Sequence, residues 1–352
     1  MKSRSIYRDE LKKMSDLMNN VKTTPFTNFA KIISLTTMNM RYEVIAFNKD
    51  LKEHPFDLTK GIIKDAGCQF KMLVEIGFIE DEEVSIQKYK SNKLEEKHEE
   101  LWQEVWSRHN EKEFQEFIDL KAMRLENNSL VEYIAGHDCV DFGCGNGSFS
   151  FALLDKGAKH VTGIDFGEKS IKYARDMAGK RGLSGRVDFK VDNVMTSSLE
   201  SDKYGFAVSN GVFHHLKNVE SMKRAIKEVS RVVKSGGWFW LYVDGKNAIS
   251  MDLWDTTVEI LKDVDVLCIE NVLKIMNVNR NKMVHIIDGS NATYIHSTLE
   301  EMTSILSDCG FENFKRLSGC TKTDFDSDVV EEDPFGEEKF GTGDLRILCQ
   351  KT

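Results

Sequence analysis

Cys139-Val-Asp-Phe-Gly-Cys-Gly-Asn-Gly-Ser-Phe-Ser150 is the stretch that decides the fold. A short apolar run broken by Asp141 reaches three glycines at alternate positions, Gly143, Gly145 and Gly147, and then enters a helical pattern. Glycine is needed where a chain turns sharply after a strand, and where a ligand must approach the main chain without meeting a Cβ. Such a strand-to-helix turn is compatible with nicotinamide cofactors, flavins, nucleotides and S-adenosylmethionine alike.

Three features discriminate among these ligands. The spacing is G-x-G-x-G, and Ser148 occupies the position where a dinucleotide fingerprint requires its last glycine. Asp141 lies two residues before the first glycine. A carboxylate there repels a pyrophosphate but suits a cationic amino-acid group, its alternative role being to cap the following helix. Val161-Thr-Gly-Ile-Asp165 ends the next strand in an acid, which can accept both hydroxyls of a ribose.

Outward from this loop, short β-branched runs alternate with helical stretches, the mark of parallel βαβ units. The expected strands are 138–142, 160–164, 187–191, 206–209 and 238–243, with 311–317 and 345–350 as a closing pair. Helices are expected over 169–180 and 219–233, the second followed by a Gly-Gly turn at Lys234-Ser-Gly-Gly237. The third strand ends in Asp192-Asn193, which can accept from an adenine amino group or simply form a turn. The fourth runs into Asn210-Gly-Val-Phe-His-His-Leu216 at the carboxyl edge of the sheet, where open α/β folds hold their ligands. The acidic run Asp324–Asp333 reads as a solvated insertion.

In this order and at this spacing the motifs resemble the class I, seven-stranded S-adenosylmethionine-dependent methyltransferases, over roughly residues 120–245. The resemblance implies an α/β, Rossmann-like methyltransferase sheet of order 3-2-1-4-5-7-6 with the last strand antiparallel. It also implies S-adenosylmethionine as cofactor and no metal. Gly143, Cys144, Gly145 and Gly147 would then meet the methionine end, Asp141 its ammonium, Asp165 the ribose, and Asp192 with Asn193 the adenine. Phe166 and Asn210 complete the cofactor set. The Cys144 side chain itself reads as a space-filler, since nothing in the sequence nearby demands a thiolate.

His214 and His215 follow the fourth strand, where the transferred methyl points in that family. A neutral imidazole there can take a proton from a hydroxyl or thiol acceptor, although positioning alone can suffice for an in-line displacement. The long segment 244–310 is expected to border the acceptor, with Arg280, His285, Tyr294 and His296 as candidate contacts and Lys282 beside them. Tyr294–Glu301 reads as the start of a helix capped by Ser297 or Thr298.

Residues 1–95 form a mainly helical region whose outline, closed by a hairpin at Phe78-Ile79 and Val84-Ile86, is winged-helix-like. Residues 96–130 read as connecting helices with Leu101, Trp102, Val105 and Trp106 on one face, and 131–352 as the methyltransferase domain. The N-terminal outline weakly resembles small-molecule O-methyltransferases that dimerise through it, which implies a homodimer. The formal net charge of -9 argues against a nucleic acid partner. No apolar run reaches a membrane span, and the first ten residues lack the apolar core of a secretory signal, so a cytoplasmic protein is expected. The seven cysteines lack C-x-x-C spacing, which argues against disulfides and zinc. The expected activity is O-, N- or S-methylation of a small molecule. An RNA or DNA methyltransferase and a non-catalytic cofactor-binding scaffold are the alternatives.

Overall fold

The computed structural model describes residues 2–76, 111–278, 282–283, 286–287, 294–321 and 324–352. These divide into two compact units.

The larger unit comprises residues 99–246, 293–329 and 342–352. Its strands are β1 (Asp138–Phe142), β2 (His160–Asp165), β3 (Val187–Val191), β4 (Tyr204–Asn210), β5 (Val233–Val243), β6 (Phe311–Arg316) and β7 (Leu345–Lys351). They form one sheet of order β3-β2-β1-β4-β5-β7-β6, with β7 antiparallel to both neighbours and the remaining pairs parallel. This is the expected methyltransferase sheet. Alternate residues of the central strands serve two cores, as the twofold pleat requires. Cys139, Val161, Phe206 and Trp240 face the helices Glu111–Asn127, Ser148–Asp155 and Glu168–Lys180. Val140, Ile164, Ala207 and Phe239 face the helices Val219–Val232 and Leu299–Asp308.

Two expectations change here. The Lys234–Gly237 turn lies within β5, because the register jumps from Tyr204–Val233 to Phe206–Trp238 and the extra residues bulge out. The acidic run at 324–333 is not simply solvated: Asp324, Asp326 and Asp333 are 7%, 5% and 6% exposed. The Arg346 guanidinium meets Asp324 at 2.7 Å, Asp326 at 2.9 Å and Asp344 at 3.1 Å, and Arg124 also pairs with Asp324. Arg346 and Arg124, far away in sequence, offset the cost of burying Asp324 and Asp326.

The smaller unit comprises residues 1–98, 247–292 and 330–341. Its N-terminal portion supplies the helices α1 (Ser5–Asn19), α2 (Pro25–Ala46) and α3 (Pro55–Ile76). Two helices of the 244–310 segment, Ile249–Leu261 and Val266–Ile275, pack against α2. The buried Asn39 amide donates to Thr257 at 3.1 Å, and the Tyr7 hydroxyl donates to Asp252 at 2.5 Å. Lys339 and Asp333 form a fully sunken ion pair at 2.7 Å. The expected hairpin at 78–86 and the apolar face at 101–106 lie outside the described residues.

Candidate functional site

The glycine loop leaves β1 with every glycine at positive φ: Gly143 at 76°, Gly145 at 51° and Gly147 at 84°. Their reasons differ. A Cβ at Gly143 would meet the Val212 side chain at 2.5 Å, and one at Gly147 would meet Phe189 at 2.7 Å, so packing forbids a side chain at both. A Cβ at Gly145 would meet nothing within 4 Å. That glycine borders space a ligand can enter.

The Asp165 carboxylate pins the same loop, accepting from the Gly145 amide at 2.9 Å and from the Gly167 amide at 2.8 Å, one on each oxygen. Each oxygen keeps a second lone pair for a hydroxyl donor. Burial raises the Asp165 carboxyl above its ordinary range, and the two amides oppose that shift. Asp141, 1% exposed, accepts from the Ser150 hydroxyl at 2.8 Å. Burial pushes its pKa from 3.8 up to about 7, with the Ser150 hydrogen bond and the Lys121 ammonium working against the shift. Lys121 is itself pushed down to about 8, chiefly by burial. It comes from the helix Glu111–Asn127, and no motif marked it in the sequence.

Two polar atoms on this loop and at the end of β4 lack a partner. The Asn146 side-chain nitrogen and the Asn210 side-chain oxygen are buried without a hydrogen-bond partner. Cys144 is 7% exposed, and burial lifts its thiol well above the ordinary range, so it fills space as a neutral group. The Phe166 ring stands 47% exposed beside Asp165. The Asp192 carboxylate accepts from the Asn193 amide at 2.8 Å and from the Ser198 amide and hydroxyl at 2.8 and 2.7 Å, and thereby holds its own turn. An open loop at Gly145, orphaned polar atoms and a part-used carboxylate fit a ligand with aminoacyl and ribose groups.

The histidine pair sits beyond β4. The His214 and His215 Nε2 atoms are 3.0 Å apart, and His214 Nδ1 accepts from the Asp244 amide at 2.9 Å. Burial lowers the His214 pKa, Asp244 opposes the shift and His296 adds to it. The Tyr294 ring lies 5.4 Å from His214 and 4.6 Å from His215, and His296 is parallel to it at 5.9 Å. The Ile295 amide donates to the His214 carbonyl at 2.7 Å, and Gly245 bridges to Ser297, so 294–297 is held against the ends of β4 and β5. The helix cap is Thr298, whose hydroxyl accepts from the Glu301 amide at 3.1 Å. His296 therefore precedes the helix. Asp244 belongs to this group although the sequence reading passed over it; an acid directly after β5 was the available signal. Lys282 pairs with Glu43 within the smaller unit. Arg280 and His285 lie outside the described residues.

Fold and site together define an open α/β domain with a candidate ligand site across the carboxyl ends of β1 and β2. Residues 140–241 match the family model described as a methyltransferase domain. The chain is 32% identical over 137 residues to a demethylmenaquinone methyltransferase of Leptospira interrogans, covering 36% of this chain and 54% of that protein. It is 30% identical over 138 residues to a ubiquinone biosynthesis O-methyltransferase of Nitrosomonas europaea, covering 38% and 56%. The chain thus spans about half the length of these curated relatives. Among solved structures it is similar to the [4+2]-cyclase SpnF, at 20% identity and a TM-score of 0.43, over 70% of this chain and 84% of that one. Residues 140–241 thus carry a methyltransferase domain, set on the seven-stranded sheet. Among the described residues no helix is long and apolar enough to cross a membrane.

Proposed function

We propose that this protein transfers a methyl group from S-adenosylmethionine to a small-molecule acceptor. The observation that carries the reading is the pairing of the open Gly145 loop with Asp165, which accepts the loop's amide and retains lone pairs for hydroxyls. In this reading Asp165 binds the ribose and Phe166 and Asn193 border the adenine. Asp141, with Asn146, Lys121 and the Gly143–Gly147 loop, receives the amino-acid end. Asp192 acts by shaping the turn beside the adenine.

The cofactor supplies an electrophilic methyl carbon on a sulfonium: the acceptor's lone pair forms the new bond, the carbon–sulfur bond breaks, and its electron pair stays on sulfur. The chain's own task is to align the acceptor and exclude water, since in-line geometry supplies much of such a rate enhancement. Tyr242, Tyr294, His296 and the histidine pair offer flat, largely aromatic surroundings at the ends of β4 and β5. They suit an aromatic or conjugated acceptor, and the quinone-related names of the two relatives point the same way.

The test is an acceptor screen with methyl-labelled cofactor and metabolite extracts, followed by mass identification of the product. A labelled small molecule is expected. Label confined to protein or RNA would overturn the acceptor class. Cofactor binding with every pool inert would favour the scaffold alternative.

A further inference from the structure

The backbone amide of Asp244 can only donate, so His214 Nδ1, 2.9 Å from it, must be an unprotonated acceptor. The single proton of neutral His214 then lies on Nε2, which faces His215 Nε2 at 3.0 Å. The direction of that bond is forced. Were His215 the donor, His214 would carry no proton on either nitrogen and would be an imidazolate. His215 Nε2 therefore accepts, and the proton of neutral His215 lies on Nδ1. Both imidazole lone pairs of the pair are consumed, one by Asp244 and one by His214.

We propose that His214 is a positioning residue which, locked by the Asp244 amide, fixes His215 as its Nδ1–H tautomer, so that the pair does not take the acceptor's proton. For His215 to gain a proton on Nε2, the bond from His214 must first break. The groups facing His214 are Asp244, His215, Tyr242, Tyr294 and His296. The Asp244 carboxylate, 3.6 Å from Nδ1, and a hydrogen bond with the Gly211 backbone favour an imidazolium there, and the carboxylate also accepts from the Tyr242 hydroxyl at 3.0 Å. Burial of His214 outweighs both.

A consequence follows for the substrate, resting on the methyl-transfer reading. A hydroxyl acceptor acidic enough to arrive ionised, as an electron-poor phenol or an enol does, needs no proton taken by the pair. Its proton has then gone to solvent before the new bond forms.

The lock can be tested without cofactor or acceptor, so its failure is distinguishable from failure of the methyl-transfer reading. In the full-length 15N-labelled protein, long-range imidazole 1H–15N correlations report which nitrogen of each ring carries the proton. The expected result at pH 8 is Nε2–H for His214 and Nδ1–H for His215. His214→Gln keeps an N–H donor near the Nε2 position and should leave His215 as Nδ1–H. His214→Leu should move part of the His215 population to the Nε2–H tautomer. The opposite tautomers in the wild-type protein would overturn the proposal. So would a His215 tautomer unmoved by His214→Leu. If the Leu variant does not fold, the wild-type and Gln spectra decide the matter alone.

Discussion

Asp141 is buried at the end of β1, where burial outweighs the Ser150 hydrogen bonds and the Lys121 ammonium, so its carboxyl holds a proton up to about pH 7. An unfolded chain releases the same proton near 3.8. Between those values the folded, cofactor-free protein binds a proton that the unfolded chain has lost. Stability is therefore fullest at the acidic end of this window and falls as pH rises through it, by up to about 1.4 kcal/mol per pH unit for this group. A cationic ammonium beside Asp141 reverses the preference and expels the proton. Cofactor affinity should accordingly rise as pH increases from 6 toward 7, by at most about tenfold per unit, and level off above 7. Calorimetry in buffers of different ionisation enthalpy should record proton release at pH 6 and little at pH 8. Asp141→Asn should bind weakly and without that pH dependence.

The glycine loop makes two separable demands as an element. Gly147→Ala drives a Cβ into Phe189, and Gly145→Ala drives it into nothing. Both carry the left-handed backbone penalty of about 1–2 kcal/mol. Thermal unfolding should show the larger stability loss at Gly147, whereas cofactor titration should show the larger affinity loss relative to stability at Gly145. Elements of this kind were readable in advance. The bounds of β1 follow from a mostly apolar run that parallel pairing buries, those of β3 from the apolar–polar alternation of an edge strand, and the loop follows from its glycines. The bulge in β5 was not, because Lys234–Gly237 carries the residues of a turn and only pairing with β4 reveals it as part of a strand. Asp244 escaped for the same physical reason: its partner His214 is 30 residues away. The acidic run was misjudged because Arg346 and Arg124, which make its burial affordable, lie beyond any local pattern.

At the scale of the whole molecule, that buried cluster ties the 324–326 segment to the sheet. Arg346 joins β7 to Asp324 and Asp326, and its guanidinium lies 4.5 Å over the ring of Tyr242 on β5. Arg346→Met should leave three buried carboxylates short of a partner and cost about 3–5 kcal/mol, read as a lower urea midpoint. Raising the pH should deepen the loss, since the orphaned acids then ionise. The proposed cofactor site across β1 and β2 is tested most directly by isothermal titration with S-adenosylmethionine and S-adenosylhomocysteine. One site per chain is expected, weakened in Asp165→Ala by about 1.5–3 kcal/mol for each charge-assisted hydrogen bond lost. No heat from either ligand at high micromolar concentration, in protein shown to be folded, would contradict it.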